Sequence, residues 1–346
     1  MKFQFARREP AVRSSRIRRP RMKTGDRFIT ALVLGGWGAF IAWFSMATHP
    51  EHLAKDFSYP WRAARALLAG QNPYDVITAV GAYPFNSALF YPAPAALVAM
   101  PFAPLRPEVA GALFIGISCA LLGWALLRDS PWRLPLFLSA PFWHAAVLGQ
   151  WSPIMTAAAL MPTLQFLAAA KPTVGLAAWI YKPSWRGIIG GLILVAAAFI
   201  VLPTWLADWR EVMPSSTKYR GPATTWMGCF LLLGLLRWRR REGRLFIAMS
   251  LMPQLPVFYD SLILWLIPST LTRSLALTAA SWIGYLAWYP SHALPNQNEI
   301  AFPWLVFTIY APALALLLLL PKCEEKTGDA EAPPAAPSPT AAPHSD

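Results

Sequence analysis

Residues 28–48 read FITALVLGGWGAFIAWFSMAT, and residues 49–62 continue HPEHLAKDFSYPWR. The first stretch carries no charge, and as an α-helix rising 1.5 Å per residue it is long enough to cross a bilayer core of about 30 Å. The second is rich in ionisable groups, so an apolar crossing delivers the chain into a charged segment. Working outward, residues 1–27 hold ten Lys/Arg against Glu9 and Asp26, and the run Arg237–Arg244 holds five Arg against Glu242. These two segments account for 12 of the 13 units of net positive charge. Between them the chain is apolar. Over its 346 residues, 56% are apolar, 14% are charged and the mean hydropathy is +0.40. An average soluble domain is about one quarter charged. Such a composition excludes an ordinary cytosolic domain, and charge concentrated in two blocks excludes a soluble nucleic-acid binder with one basic face. The expected class is an all-α polytopic integral membrane protein.

Further apolar stretches lie at 107–127, 134–149, 151–170, 187–206, 223–236, 245–258, 261–272, 274–290 and 303–320. With 28–48 they suggest about ten crossings, with a range of eight to eleven. Several are short and interrupted by proline, as helices inside a bundle tolerate. The positive-inside rule then places 23 of the 30 basic residues on the cytoplasmic side, among them Arg128, Arg133, Lys171, Lys182 and the 237–244 run. Both termini are expected there. Residues 1–27 read as a basic cytoplasmic tail retained ahead of the first helix, 28–320 as the membrane domain and 321–346 as a disordered Pro/Ala-rich tail. Residues 87–105 carry four prolines and read as a membrane-dipping or interfacial helix, while 172–181 are too short to cross. Three cysteines with no paired spacing give no disulfide or metal signature.

Ionisable groups are scarce, so each one between the tails is a candidate. Phe57, Trp61, Ala64, Leu67 and Leu68 recur at helical spacing, which predicts an amphipathic helix over 57–69. That helix would lie on the outer leaflet with Arg62 and Arg65 on its polar side, stopped by Gly70 and Pro73. Asp56 sits where the outer segment leaves the first span, poised to face a cavity. His49 and His52 with Glu51 and Asp56 could hold a metal, although Pro50 disrupts the helical facing and loop histidines are the better reading. His144 in an apolar stretch reads as an interior histidine. Gln150 suits either a ligand hydroxyl or a neighbouring helix. Asp260 suits either a ligand or a helix cap. The 237–244 run reads as a topology anchor, and the many tryptophans as interface belts, with Trp61 also placed to stack on a ligand ring.

Asp56-Phe57, Tyr59, Ala66–Gly70, Asn72-Pro73-Tyr74, Phe90-Tyr91-Pro92 and Pro101 together resemble the opening of the glycosyltransferase family 87 membrane enzymes, which belong to the GT-C class. The resemblance continues through Gly149-Gln150, Lys171-Pro172, the basic-aromatic patch 182–186 and Tyr259-Asp260. It covers roughly residues 28–275 in matching order. Ser152 stands where the family pattern has Asn, and the stretch before Lys171 is short.

The resemblance implies a GT-C-like bundle whose first outer loop, 49–86, is catalytic. It implies transfer of a hexose, typically mannose, from a polyprenyl-phosphate donor with inversion at the anomeric carbon. The acceptor would be a glycolipid or cell-envelope glycan outside a bacterial inner membrane. Asp56 matches the general base. Tyr59, Arg62, Arg65, Tyr74, Gln150, Lys171, Tyr259 and Asp260 are the expected substrate-binding residues. The lipid-linked sugar is a substrate, so no resident cofactor is implied. No metal ligands are assigned, and a divalent-ion requirement stays open. Membrane lipids, donor and acceptor are the expected partners, and nucleic acid is not. The chain has no GxxxxGK[ST] loop for a nucleotide. A lipid or small-molecule transporter is the alternative, though the sequence shows no internal repeat and its acidic residues cluster outside the spans.

Overall fold

The computed structural model describes residues 22–48, 55–78, 88–213, 219–255 and 257–321. It is mostly helical, and the described residues form no β-strand. The first helix, α1, runs Thr24–Thr48. α2 spans Lys55–Leu68, α3 Pro73–Val76, α4 Ala93–Ala99 and α5 Pro107–Asp129. α1 and α5 pack along a seam of small residues. A Cβ added at Gly35 would meet the Gly116 carbonyl oxygen at 2.8 Å and the Ala120 Cβ at 2.9 Å. One added at Gly38 would meet the Cys119 Sγ at 2.5 Å. Lipid tails are as apolar as leucine, so two helices in a membrane gain by close backbone approach, which small residues permit. The opposite side of α1 presents Phe28, Ile29, Leu32, Val33, Trp37, Phe40, Trp43 and Phe44, all exposed. In water a face of this size would be a liability, and against lipid it is expected.

Among the described residues, three helices are long and apolar enough to cross a membrane: α1, α5 and, near the end of the described chain, Gln297–Leu318. A fourth results if α9 (Trp185–Val201) and α10 (Trp205–Val212), bent by 96° at their junction, count as one broken span. The other expected crossings are divided. The 134–149 stretch becomes a 3₁₀ segment, Pro131–Leu138, followed by α6 (Ala140–Val147). The 151–170 stretch becomes α7 (Ser152–Leu160) and a 3₁₀ segment, Pro162–Ala169. Proline supplies the reason, since each of these four pieces has one at its first or second position, where a missing N–H is tolerated and a new helix starts. α8 is Pro172–Tyr181, α11 Arg241–Leu251, α12 Leu271–Trp288 and α13 the long Gln297–Leu318, with a π-turn at Val306–Tyr310 just after Pro303.

One expected crossing is corrected outright. The Lys171 Nζ donates to the Gln150 Oε1 at 3.1 Å, so the two ends of 151–170 meet. A segment crossing about 30 Å of hydrocarbon would hold them apart by that distance. Instead α7, the Pro162–Ala169 segment and α8 pack on one another, with Gly175 of α8 against Ala168 so closely that a Cβ would sit 2.5 Å from the Ala168 Cα. Lys171 therefore belongs with Gln150, not with the opposite face to which the charge count assigned it.

α2 forms where the periodicity placed it, but it is not a surface helix. Phe57, Trp61 and Ala64 are buried as expected, and so are Ser58, Ala63 and Ala66 on the flanks, while Leu68 is exposed. The Phe57 ring stacks on Phe114 of α5 at 4.1 Å, and the Trp61 indole donates to the Phe102 carbonyl. α2 is thus held inside the fold by α4 and α5. The stop at Gly70 is as expected. At φ +70°, it ends α2 in a Schellman motif, the Gln71 N–H bonding the Ala66 carbonyl and the Gly70 N–H the Leu67 carbonyl.

Candidate functional site

Asp56 lies in the first turn of α2, partly open to the surface. Its backbone N–H donates to the Leu148 carbonyl at 3.2 Å, which pins the start of α2 to the end of α6. There Gly149, at φ +62°, closes α6 with a second Schellman motif: the Gln150 N–H bonds the Ala145 carbonyl and the Gly149 N–H the Ala146 carbonyl. A residue with a Cβ is strained at that φ, so Gly149 is what turns the chain and brings Gln150 back toward Asp56.

Gln150 is fully buried. Its Oε1 accepts from Lys171, while its Nε2 makes no hydrogen bond of full geometry and lies near enough to Asp56 to favour the ionised carboxylate. Lys171 precedes Pro172, which holds it in extended backbone at the mouth of α8. Its ammonium forms an ion pair with the Asp260 Oδ1 at 3.0 Å, both side chains almost fully buried, and sits 5.2 Å over the Tyr259 ring. Ser152 also donates to the Asp260 Oδ1, at 3.3 Å. Tyr91 donates its hydroxyl to the Asp56 Oδ2 at 3.1 Å and is half-buried against Trp151.

Four separate segments thus place Asp56, Gln150, Lys171, Tyr259 and Asp260 in one cluster, although the charge count puts Lys171 on the opposite side of the membrane from Asp56. Two carboxylates share one close ammonium. Lys171 is committed to Asp260, and Asp56 has no ion pair within 4 Å among the described residues. Burial raises the Asp56 pKa, and the nearby Asp260 charge adds to this. Lys171, Gln150 and Tyr91 pull it down without cancelling the rise. The Tyr219 hydroxyl is pushed up to about 12, chiefly by burial and then by the charges of Asp56 and Asp260, which marks it as a neighbour of the same pair.

The remaining expected residues fall outside the cluster. Tyr59 stands at its rim, its ring 6.3 Å from that of Tyr91. Arg62 is half-buried, with Tyr59 as its charge neighbour, well along α2 from Asp56. Arg65 is exposed and lays its guanidinium over the Trp61 ring at 5.0 Å, on the far side of the helix from the carboxylates. Trp61 is itself buried, so it is not a free stacking face for a sugar. Tyr74 donates to the Tyr91 carbonyl at 2.9 Å and so positions Tyr91 without reaching Asp56. His144 is indeed interior, ringed by Phe258, Tyr259, Tyr285 and Trp288. His49, Glu51 and His52 lie outside the described residues. Sequence reasoning left Tyr91 and Ser152 unassigned. Tyr91 was legible as the residue before a proline, and Ser152 as the hydroxyl standing in for an amide.

No family model, curated protein or solved structure matches this chain.

The cluster can accept a proton at Asp56, since a carboxylate with a raised pKa is a stronger base. It can hold polar ligand atoms on Lys171, Gln150 and Tyr91. Among the described residues, no three His, Cys, Asp or Glu side chains are grouped to bind a metal.

Proposed function

We propose that this protein is an integral-membrane glycosyltransferase of the family 87 type, with Asp56 as its general base. The observation that carries the reading is the meeting of Asp56, Gln150, Lys171 and Asp260 from four distant segments. These are positions the family resemblance picks out, and composition alone gives no reason for them to meet. The protein takes a hexose, mannose by the resemblance, from a polyprenyl-phosphate donor and passes it to a glycolipid or envelope glycan on the outer side of a bacterial inner membrane. Asp56 removes the proton from an acceptor hydroxyl as its oxygen bonds the anomeric carbon. The bond from that carbon to the phosphate oxygen breaks, and polyprenyl phosphate leaves with the electron pair. Configuration inverts. Lys171 and Tyr91 are the cationic and hydroxyl groups at hand for developing charge. The bundle is of GT-C type, apolar stretches such as 134–149 crossing as paired short helices while 151–170 folds back on itself, and both termini face the cytoplasm.

The test is sugar transfer by the purified full chain from a panel of radiolabelled polyprenyl-phosphate sugars. Asp56→Asn is expected to fall by about 10²–10⁴-fold with unchanged donor binding, the usual cost of losing a general base. Wild-type turnover in a folded Asp56→Asn protein would sink the assignment. Substrate-coupled flux in proteoliposomes without transfer would favour the transporter.

A further inference from the structure

At the other end of α1 from Asp56, Arg27 lies over the Trp124 ring of α5, and beyond α5 the chain buries a second kind of charge. Arg133 is only 4% exposed. Its Nε donates to the Pro268 carbonyl at 3.0 Å, and its Nη1 makes long contacts of 3.4 Å to the Ser130 hydroxyl and 3.5 Å to the Tyr181 hydroxyl. Every one of these partners is neutral. The Arg133 Nη2 has no acceptor among the described residues, and it is not among the fully enclosed unpartnered atoms, so it reaches the accessible surface. The ring of the same Tyr181 carries a second guanidinium, Arg241, 4.8 Å from its centroid. Arg241 is half exposed and touches Glu242 through its Nε alone, at 3.1 Å. Two arginines thus converge on one tyrosine, with the Arg133 Nη2 and both terminal amino groups of Arg241 making no hydrogen bond among the described residues, and with the Glu242 and Asp129 carboxylates as charge neighbours of Arg241.

A buried guanidinium held by neutral groups alone leaves its charge uncompensated, which favours an incoming anion. A planar fork of N–H donors fits the tetrahedral oxygens of a phosphate group. The surroundings say more about the source of that phosphate. Trp132 also bonds the Pro268 carbonyl, and three residues beyond Pro268 an exposed apolar ridge begins on α12 with Leu271 and Leu275. A head group at Arg133 and Arg241 would leave its acyl chains lying along this ridge.

We infer that Arg133, Arg241 and Tyr181 form a phosphate-binding site for the head group of an anionic phospholipid, at the end of the protein remote from the Asp56 cluster and independent of its chemistry. The site anchors the 131–138 segment, α8 and the start of α11 to the membrane surface.

The experiment is thermal unfolding of the purified full chain in neutral detergent. The additions are phosphatidylglycerol, phosphatidylcholine, or inorganic phosphate balanced against chloride at equal ionic strength. Phosphatidylglycerol at about tenfold its dissociation constant is expected to raise Tm by roughly 2–4 °C, with phosphatidylcholine giving no rise. An equal rise with inorganic phosphate assigns the same site to a free anion, and no rise with it assigns the site to lipid. Arg241→Gln, at a half-exposed position that folding tolerates, and Arg133→Lys, which keeps the charge but loses the fork, should each remove at least half of the shift. Equal shifts for the two lipids with none for phosphate, or full shifts in both variants, would overturn the site.

Discussion

Asp56 keeps its burial at a cost that a pH series can read. Its folded pKa is raised, so the protonated form is the one folding favours. The stability this gives is present at low pH and lost as pH rises through the folded pKa. Asp56→Asn mimics the protonated form at every pH. The variant is therefore expected to match wild type near pH 4 and to melt progressively higher than wild type toward about pH 8, while losing transfer. A constant Tm difference across that range would deny Asp56 its raised pKa. Lys171 behaves oppositely, because it and Asp260 neutralise one another out of water. Lys171→Met leaves a buried carboxylate alone and is expected to cost about 3–5 kcal/mol in denaturant titration, with Lys171→Met/Asp260→Asn recovering most of it. At this scale the sequence was legible only through the family resemblance. Nothing in periodicity joins residue 56 to 150, 171 and 260, because their meeting depends on two Schellman turns and a proline whose effects are local. Arg65 and Tyr74 stand outside the cluster for a plain reason: helical phase carries Arg65 onto the Trp61 face, and Tyr74 is spent on the Tyr91 carbonyl.

Among the elements, α1 and α5 were readable because a long apolar run with no proline in its interior leaves few alternatives to a span. Their partnership is written in Gly35, Gly38, Gly116 and Gly123, a small-residue seam that hydropathy alone does not reveal. Gly35 and Gly36 offer a matched pair. A Cβ at Gly35 collides with the Gly116 carbonyl, whereas one at Gly36 meets nothing within 4 Å. Gly35→Ala is expected to destabilise by about 1–3 kcal/mol through overpacking. Gly36→Ala should stabilise by roughly 0.5–1 kcal/mol through helix propensity alone. Detergent-unfolding curves for the two variants check both signs, and similar effects at the two positions would mean that α1 does not pack on α5 through this face. The shorter elements were less legible. An apolar run such as 151–170 has the length of a span, but Pro153 and Pro162 cut it into pieces too short to cross, and hydropathy averages over them.

For the whole molecule the question is sidedness. The net charge of +13 is concentrated in 1–27 and 237–244, and a membrane protein retains such blocks in the cytoplasm. The fold agrees with that arithmetic in one respect that the sequence could not supply. Arg27, Arg133 and Arg241 gather at the end of α1 and α5 away from the carboxylates, through Trp124, Tyr181 and the Pro268 carbonyl. Removing Lys171 from that side lowers the cytoplasmic count from 23 to 22 of the 30 basic residues, a small loss of asymmetry, and leaves the ammonium with Asp260. Arg65 is exposed beside the cluster end and Arg241 is half exposed at the other. Single cysteines at these two positions, in a chain whose Cys119, Cys229 and Cys323 are replaced by serine, give opposite readouts with a membrane-impermeant maleimide on intact cells. Arg65→Cys should label directly, and Arg241→Cys only after the membrane is permeabilised. Labelling of both from outside would place the arginine block in the wrong compartment and undo the positive-inside orientation. Reversal of the pair would put Asp56 in the cytoplasm, where an extracytoplasmic glycan acceptor could not reach it.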